Sequence, residues 1–473
     1  MTQLRTRAYV GKRVTVMGLG LFGGGVGAAR FFAEAGAQVT VTDQRGEKDL
    51  KPSIDALAGL PIRYVLGRHD VEDFCGAHIV VVNPGVPADN PLVIMARGAG
   101  AQIERSINLL FKLTPHNPKI GVTGSNGKST TTALLGAMFK LHDSRTVIGG
   151  NIGKCVLGET ATLASGVPVV LELSSFMLEG LRELEESPKI AIVTNLSPNH
   201  LDRHVTMESY AAAKQAIINF QHRKDIAVLN ADDPALKGWE KLTKARVVRF
   251  SVKGEPEGDA AFLDGEKLVV RIGATEEVVA LRHALRLLGE HNVANALAAS
   301  AAALAYGVRP WEIAEALATF SGLPHRLEMV ARDSRSVTFY NDSIATTPES
   351  AICALASFEG PITLIAGGYD KGSPFDELGI AIARKARRLI LLGTTAPKIE
   401  EAVLRASREI MRGPAISHAR DLEHAAQLAA TGTMPSEVIL LSPACASYDM
   451  FRNFQERGEL FRLLARRLAA AAS

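Results

Sequence analysis

An α/β protein of three domains is the fold class this sequence predicts, and three observations predict it. The chain has 473 residues, a length that suits about three domains. Short β-branched runs alternate with Ala/Leu-rich stretches of helical length along nearly all of it, the pattern of parallel sheets covered on both faces. Two breaks interrupt the rhythm, Lys112–Pro118 with its two prolines and Gly322–Pro324. They divide the chain into domains at 1–114, 115–322 and 323–473. Apolar residues make up 47% and charged residues 22%, enough to build cores without disulfides. The formal net charge is only +3. That is too small to suggest wrapping of nucleic acid or adhesion to an anionic membrane, so any anionic ligand must be met locally.

The first strand, Arg13–Met17, runs into Gly18-Leu19-Gly20-Leu21-Phe22-Gly23 and a helix to about Ala35. The second, Gln38–Thr42, delivers Asp43 (43 − 23 = 20 residues after Gly23). This is the G-x-G-x-x-G pattern with a trailing acid. Its glycines let backbone approach a phosphate, and the helix start offers N–H groups. The motif alone leaves three readings open: NAD(P), another phosphate-bearing ligand, or plain βα packing. A strand follows at Ile79–Val82.

Strand Lys119–Val122 enters Thr123-Gly124-Ser125-Asn126-Gly127-Lys128-Ser129-Thr130 and a helix. This resembles a phosphate loop, although Val122 stands where the strict pattern wants glycine. Backbone N–H groups of Gly124–Gly127 would cradle phosphates, Lys128 would reach the β/γ oxygens, and Ser129 would ligate Mg²⁺. Strand Val167–Leu173 carries Glu172 at its tip, where open α/β sheets bind ligands and where Mg²⁺ needs a second oxygen. Strand Ile190–Thr194 leads into His200-Leu201-Asp202-Arg203-His204. That H-x-D-x-H spacing either holds a metal or caps the helix starting near Met207, which contains Lys214. After strand Ile226–Leu229, residues 243–283 read as a glycine-punctuated β-hairpin appendage. A long helical stretch, Asn292–Ala318, precedes the last αβ series, with strands at Thr338–Tyr340, Ile362–Ala366, Leu389–Leu392 and Val438–Leu441.

Cys75, Cys155, Cys353 and Cys445 form no C-x-x-C pair. They read as reduced, mostly buried thiols of a cytoplasmic protein. The N-terminus leads into no signal core, and no apolar run approaches about 20 residues.

Taken in order, nine segments resemble a known family: Thr123–Ser129, Glu172-Leu173-Ser174-Ser175-Phe176, His200–Arg203, Lys214, His291-Asn292-x-x-Asn295, Gly322–Arg326, Asn341-Asp342-Ser343, Gly367-Gly368-x-x-Lys371 and Leu441–Ser447. The chain is similar to the Mur ligases over essentially its whole length. Its final segment, Phe451-Arg452-Asn453-Phe454-Gln455-Glu456-Arg457-Gly458, resembles their D-glutamate-adding members. The resemblance implies a Rossmann-like N-terminal domain for the nucleotide sugar, a central phosphate-loop ATPase domain and a Rossmann-like C-terminal domain for the amino acid. The implied reaction adds D-glutamate to UDP-N-acetylmuramoyl-L-alanine through an acyl phosphate, with ATP and Mg²⁺, in a cytoplasmic monomer with no nucleic-acid or membrane partner.

The resemblance also implies roles. Gly20, Leu21, Phe22, Asp43, Arg45, Asn83, Gly85 and Asn151 would hold the UDP-sugar. Gly124 to Thr130, Asn292, Asn295, Arg326 and Asp342 would hold ATP. Thr346, Lys371, Ser447 and Phe454 would hold glutamate. Ser129, Glu172, His200 and a carbamylated Lys214 would ligate metal, and Lys128, His200, Lys214, Arg326 and Lys371 would be catalytic. Three positions depart from the family pattern: Ile344 replaces a lysine, Met177 a glutamine and Tyr448 a smaller apolar residue. They cluster at the acceptor end and keep L-glutamate or another amino acid open there. Rival readings are an NAD(P) oxidoreductase, which leaves Lys128 and Glu172 unused, a non-catalytic nucleotide sensor, and another Mur ligase or a folylpolyglutamate synthase.

Overall fold

The computed structural model describes residues 7–472 except 21, 22, 88, 153, 154, 161, 162, 199 and 200, and leaves out the side chains of 201 and 202. The chain divides into two compact units, Met1–Ala284 with Ala294–Ala318, and Leu285–Val293 with Thr319–Ser473.

The first unit contains two sheets. One is wholly parallel, in the order β3-β2-β1-β4-β5. Its strands are β1 (Arg13–Met17), β2 (Gln38–Asp43), β3 (Ile62–Leu66), β4 (Ile79–Val82) and β5 (Gln102–Glu104). Val14, Val16, Val39 and Val41 pack on Ala28, Phe31 and Phe32 of the helix Gly24–Glu34. The other sheet runs β14-β13-β12-β11-β10-β9-β6-β8-β7. Its strands are β6 (Lys119–Thr123), β7 (Val147–Gly150), β8 (Val169–Glu172), β9 (Ile190–Val193), β10 (Ile226–Asn230), β11 (Arg246–Ser251), β12 (Ala260–Asp264), β13 (Lys267–Ile272) and β14 (Thr275–Leu281). The expected hairpin within 243–283 exists, with turns at Gly265 and Gly273 (φ 56° and 63°). It continues the central sheet rather than standing apart, because β12 pairs parallel with β11 and β11 with β10.

The second unit holds one six-stranded sheet, β15-β16-β20-β17-β18-β19. Its strands are β15 (Glu328–Arg332), β16 (Thr338–Asn341), β17 (Ile362–Ala366), β18 (Ala386–Leu391), β19 (Ala415–His418) and β20 (Val438–Leu441). Leu364, Leu389 and Leu440 point to one covering layer, Ile365, Ile390 and Ile439 to the other. That alternation gives near-continuous apolar runs in sequence.

Several expectations need correction. The single helix over Asn292–Ala318 is two, Glu290–Tyr306 and Pro310–Thr319, because Gly307 takes φ 111° and Pro310 starts afresh. The helix Met207–Asn219 is capped by Thr206, whose hydroxyl accepts from the Ser209 N–H, not by Asp202 or His204. Cys75 and Cys353 are exposed; only Cys445 is buried. Among the described residues no helix is long and apolar enough to cross a membrane.

Candidate active site

The phosphate loop leaves a strand whose five residues are all buried. Gly124 (φ 149°) and Gly127 (φ 81°) turn it, and a Cβ at either would collide, with Thr194 Oγ1 or Asn295 Oδ1 respectively. Glycine is required there by both backbone angle and space. Gly127 caps the helix Lys128–His142, so the N–H groups of its first turn face the loop. Asn195 braces the loop: its Oδ1 accepts from Asn126 N (2.8 Å) and its Nδ2 donates to Asn126 O (3.0 Å). Ser125 Oγ donates to Ser197 O (2.8 Å) and meets Tyr210 Oη at 3.2 Å. Asn295 lies against the same turn, its Oδ1 accepting from Thr131 Oγ1 at 3.2 Å. Ser129 is half-buried in the first helical turn and Thr130 is buried.

Two lysines converge on this loop. Lys128 Nζ donates to Gly124 O (2.9 Å) and Ser125 O (2.7 Å). Lys214 Nζ donates to the same Gly124 O (2.8 Å) and lies 4.7 Å from the centre of the Tyr210 ring. Lys214 is 1% exposed. Burial first, and the nearby Lys128 charge second, push its pKa far down, against a smaller upward pull from Glu172. The parallel register sets Glu172 beside Val122 at the root of the loop. Its carboxylate is buried; Oε1 accepts from Asn151 Nδ2 (2.7 Å), and Oε2 has no hydrogen-bond partner. A buried carboxylate oxygen left without a donor is costly, and its chemistry suits a hard cation. His200 lies outside the described residues. Among those described, no group of three or more His, Cys, Asp or Glu converges as a ready cage.

At the N-terminal sheet, Gly18, Gly20 and Gly23 all take positive φ (92°, 62° and 85°), as the fingerprint requires. Leu21 and Phe22 lie outside the described residues. Asp43, expected to hold the UDP-sugar, commits its carboxylate to the turn itself. Oδ2 accepts from Leu19 N (2.9 Å) and Gly20 N (3.1 Å), and Oδ1 from Arg45 N (2.9 Å). Asn83 ties the β4 loop to the turn, its Nδ2 donating to Gly18 O (3.3 Å) and its Oδ1 accepting from Gly85 N (3.3 Å). Arg45 is exposed.

In the second unit, the loops after β16, β17 and β20 meet at the carboxyl ends of adjacent parallel strands, the usual ligand position. Asp342 does not ion-pair with Arg326: among the described residues its Oδ1 accepts from Leu327 N (3.1 Å) and its Oδ2 from Ser442 Oγ (2.8 Å). Burial pushes its carboxyl up to about 7, the Ser442 bond and the Arg326 charge pulling the other way. Arg326 Nε is buried and without a partner. Asn292 donates to Leu288 O (2.7 Å). Ser447 is buried, Thr346 half-buried, and Lys371 Nζ stands 5.6 Å from the ring centre of the exposed Tyr448. Phe454 starts the helix Phe454–Ala471, its carbonyl accepting from Ser343 Oγ (2.8 Å).

Sequence reasoning missed Arg457. Its buried guanidinium donates to Ser343 O (2.8 Å), Ser343 Oγ (3.0 Å), Cys445 O (3.1 Å) and Ala446 O (3.4 Å), joining two of the three loops. Desolvation lowers its pKa to about 10. It also missed Asn195 and Tyr210. Only the position of Asn195, directly after a strand, could have marked it.

A braced phosphate loop, two lysines on one carbonyl and a buried, half-satisfied carboxylate define a nucleoside-triphosphate-using α/β enzyme. Family models match along the chain: "Mur ligase MurD-like, N-terminal domain" over residues 12–104, "Mur ligase middle domain" over 122–303 and "Mur ligase, glutamate ligase domain" over 325–445. A UDP-N-acetylmuramoylalanine–D-glutamate ligase of Roseiflexus sp. (strain RS-1) is 47% identical, covering 96% of this chain and 98% of its own. One from Symbiobacterium thermophilum is 42% identical over 97% and 98%. Among solved structures, UDP-N-acetylmuramate-alanine ligase of Thermotoga maritima shares the fold at TM-score 0.61 and 21% identity, covering 95% of this chain and 98% of that one. MurF of Acinetobacter baumannii does so at 0.60 and 18%, covering 97% and 92%. The chain belongs to the Mur ligase family.

Proposed function

We propose that this chain joins D-glutamate to the alanine carboxylate of UDP-N-acetylmuramoyl-L-alanine with hydrolysis of ATP, a step in peptidoglycan precursor synthesis. It is an ATP-dependent ligase. The observation that carries the reading is the 47% identity, end to end, with a relative named for that reaction. The reading extends to a cytoplasmic monomer with neither nucleic acid nor membrane as partner. It also assigns the nucleotide sugar to 1–114, ATP to 115–322 and the amino acid to 323–473. In support, each of the three sheets falls inside one of these ranges.

A carboxylate does not acylate an amine in water until one oxygen becomes a leaving group. Transfer of the γ-phosphoryl group from ATP to the alanine carboxylate makes an acyl phosphate and ADP. The glutamate amine, having lost a proton, attacks the carbonyl carbon. The tetrahedral intermediate then gives up a second proton from its nitrogen, expels phosphate and leaves the amide. The obstacle is charge, because two anions must meet. Lys128 is assigned to the β/γ oxygens, with the backbone of Gly124, Ser125, Asn126 and Gly127 and the helix start at Ser129 and Thr130. Ser129 and the unsatisfied Oε2 of Glu172 fit Mg²⁺, which when bound would neutralise charge on the phosphates. His200 and Lys214, the latter as a carbamate, are assigned to a second cation. The buried amine of Lys214, its pKa pushed down by burial, suits that modification: the neutral amine adds CO₂ and releases a proton, becoming an anion.

Arg326 is assigned to the γ-phosphate, Asp342 to the ribose, and Asn292 and Asn295 to the adenine. Thr346, Lys371, Ser447 and Phe454 take glutamate. Gly20, Leu21, Phe22, Asp43, Arg45, Asn83 and Gly85 take the UDP, and Asn151 the donor's reacting end. Asp43 acts there by holding the turn open to the diphosphate. The test incubates the protein with all three substrates and follows ADP together with the mass of the amide product. Lys128→Ala is expected to cut turnover at least about 100-fold with an unchanged melting temperature. Normal turnover in that variant contradicts the assignment.

A further inference from the structure

Arg203 belongs to the His200–Arg203 motif, yet no role assigned above uses it. It is the third residue of a four-residue helix, Leu201–His204, and its guanidinium reaches the loop that follows β4. Nη1 donates to Gly85 O (2.6 Å) and Nη2 to Val86 O (3.2 Å). That loop is itself fastened to the glycine turn by Asn83, through Gly18 O and Gly85 N. On its other side the guanidinium carbon stands 4.5 Å from the centre of the Phe176 ring. Phe176 stacks on His204 at 5.3 Å and 6°. His204 Nε2 hydrogen-bonds Ser175 Oγ (2.9 Å), three residues beyond Glu172, and its ring packs on Tyr210 at 5.2 Å. Tyr210 Oη meets Ser125 Oγ in the phosphate loop. An unbroken series of contacts therefore runs from the glycine turn to the phosphate loop, and in that series Arg203 is the step from one sheet's loops to the other's.

We propose that Arg203 is a positioning residue that sets the β4 loop in register with the phosphate loop, so that the nucleotide sugar's carboxylate meets the phosphoryl group. This rests on the function proposed above. The chemistry of the contact supports it. One planar guanidinium holds the carbonyls of two successive residues and stacks on an aromatic face at once, fixing both the place and the tilt of the loop. A lysine ammonium offers a point charge without that fork. A misplacement of about 1 Å at reacting groups costs about 100-fold in rate, so a clamp of this kind acts on turnover rather than on either ligand's own affinity.

The test measures nucleotide-sugar binding by calorimetry with and without a non-hydrolysable ATP analogue, and turnover, in the parent, Arg203→Lys and Arg203→Ala. Each ligand alone is expected to bind all three proteins within about threefold, while kcat falls about 30-fold or more in Arg203→Ala and less in Arg203→Lys. The analogue is expected to tighten nucleotide-sugar binding in the parent, and this factor to fall toward one in Arg203→Ala. Parent-level kcat in Arg203→Ala, with or without a lowered melting temperature, overturns the proposal; so does a tightening factor absent from the parent or unchanged in the variant. Should the alanine variant not fold, the lysine variant carries the same comparison. A parent that releases no ADP with its substrates sinks the functional reading as well, and that is read before any variant is made.

Discussion

Lys214 and Asp342 are two buried groups held away from their ordinary ionisation, and each gives a prediction at the scale of one side chain. Lys214, enclosed beside Lys128, has its pKa pushed well below the ordinary lysine value, by burial first and by the Lys128 charge second. Replacement by alanine is expected to abolish turnover, and short carboxylic acids such as acetate to restore part of it by standing in for the carbamate. Full activity without such acids refutes the modification. For Asp342 the ordinary pKa is 3.8 and the folded value about 7. The folded chain therefore keeps a proton, between those values, that the unfolded chain has released. The stability this group contributes is present below about pH 4 and is lost as pH rises through about 7. Asp342→Asn removes that dependence. The melting-temperature difference between about pH 5 and about pH 8 should shift toward greater relative stability at the higher pH; an unchanged difference contradicts the burial account.

At the scale of elements, the site was legible wherever strand, glycine and helix follow one another locally. The turn Gly18–Gly23 and the loop Gly124–Gly127 were readable because their glycines are demanded by φ and by close approach of Asn83, Thr194 or Asn295. Glu172 was readable because the tip of a parallel strand is a ligand position. Strands β3, β5, β7, β15 and β19 were not. All five lie at sheet edges; β3, β5, β15 and β19 carry residues such as Arg63, Gln102, Glu328 and Ser417 that break an apolar run, and β7 is four residues long, two of them glycine. Long-range partners were invisible too: nothing local says that Asp43 ties the glycine turn, or that Arg457 on the C-terminal helix binds carbonyls at Ser343 and Cys445. That helix is therefore more than a cover for the sheet. Arg457→Met strands several buried carbonyls and is expected to cost about 2–4 kcal/mol of stability. It should also raise KM for glutamate, read from thermal melts and initial rates together. A variant with unaltered KM argues that the loops hold without it.

For the whole molecule, the net charge of +3 and three anionic substrates make one picture. On the assignments proposed above, charge would be supplied where each ligand binds: by Lys128 and the helix start at the phosphate loop, and by Arg326 and Lys371 in the second unit. The orphan Oε2 of Glu172, on the proposed reading, would take a cation rather than add to the protein's own positive charge. Ile344 and the exposed Tyr448, over which Lys371 stands, make the acceptor end the place where this account is most exposed to refutation. The most direct measurement compares ADP release, in the presence of UDP-N-acetylmuramoyl-L-alanine and ATP, with D-glutamate and with L-glutamate as acceptor. The account predicts release that requires the nucleotide sugar and runs at least about tenfold faster with D-glutamate. Equal or faster release with L-glutamate, or release that persists without the nucleotide sugar, would contradict it.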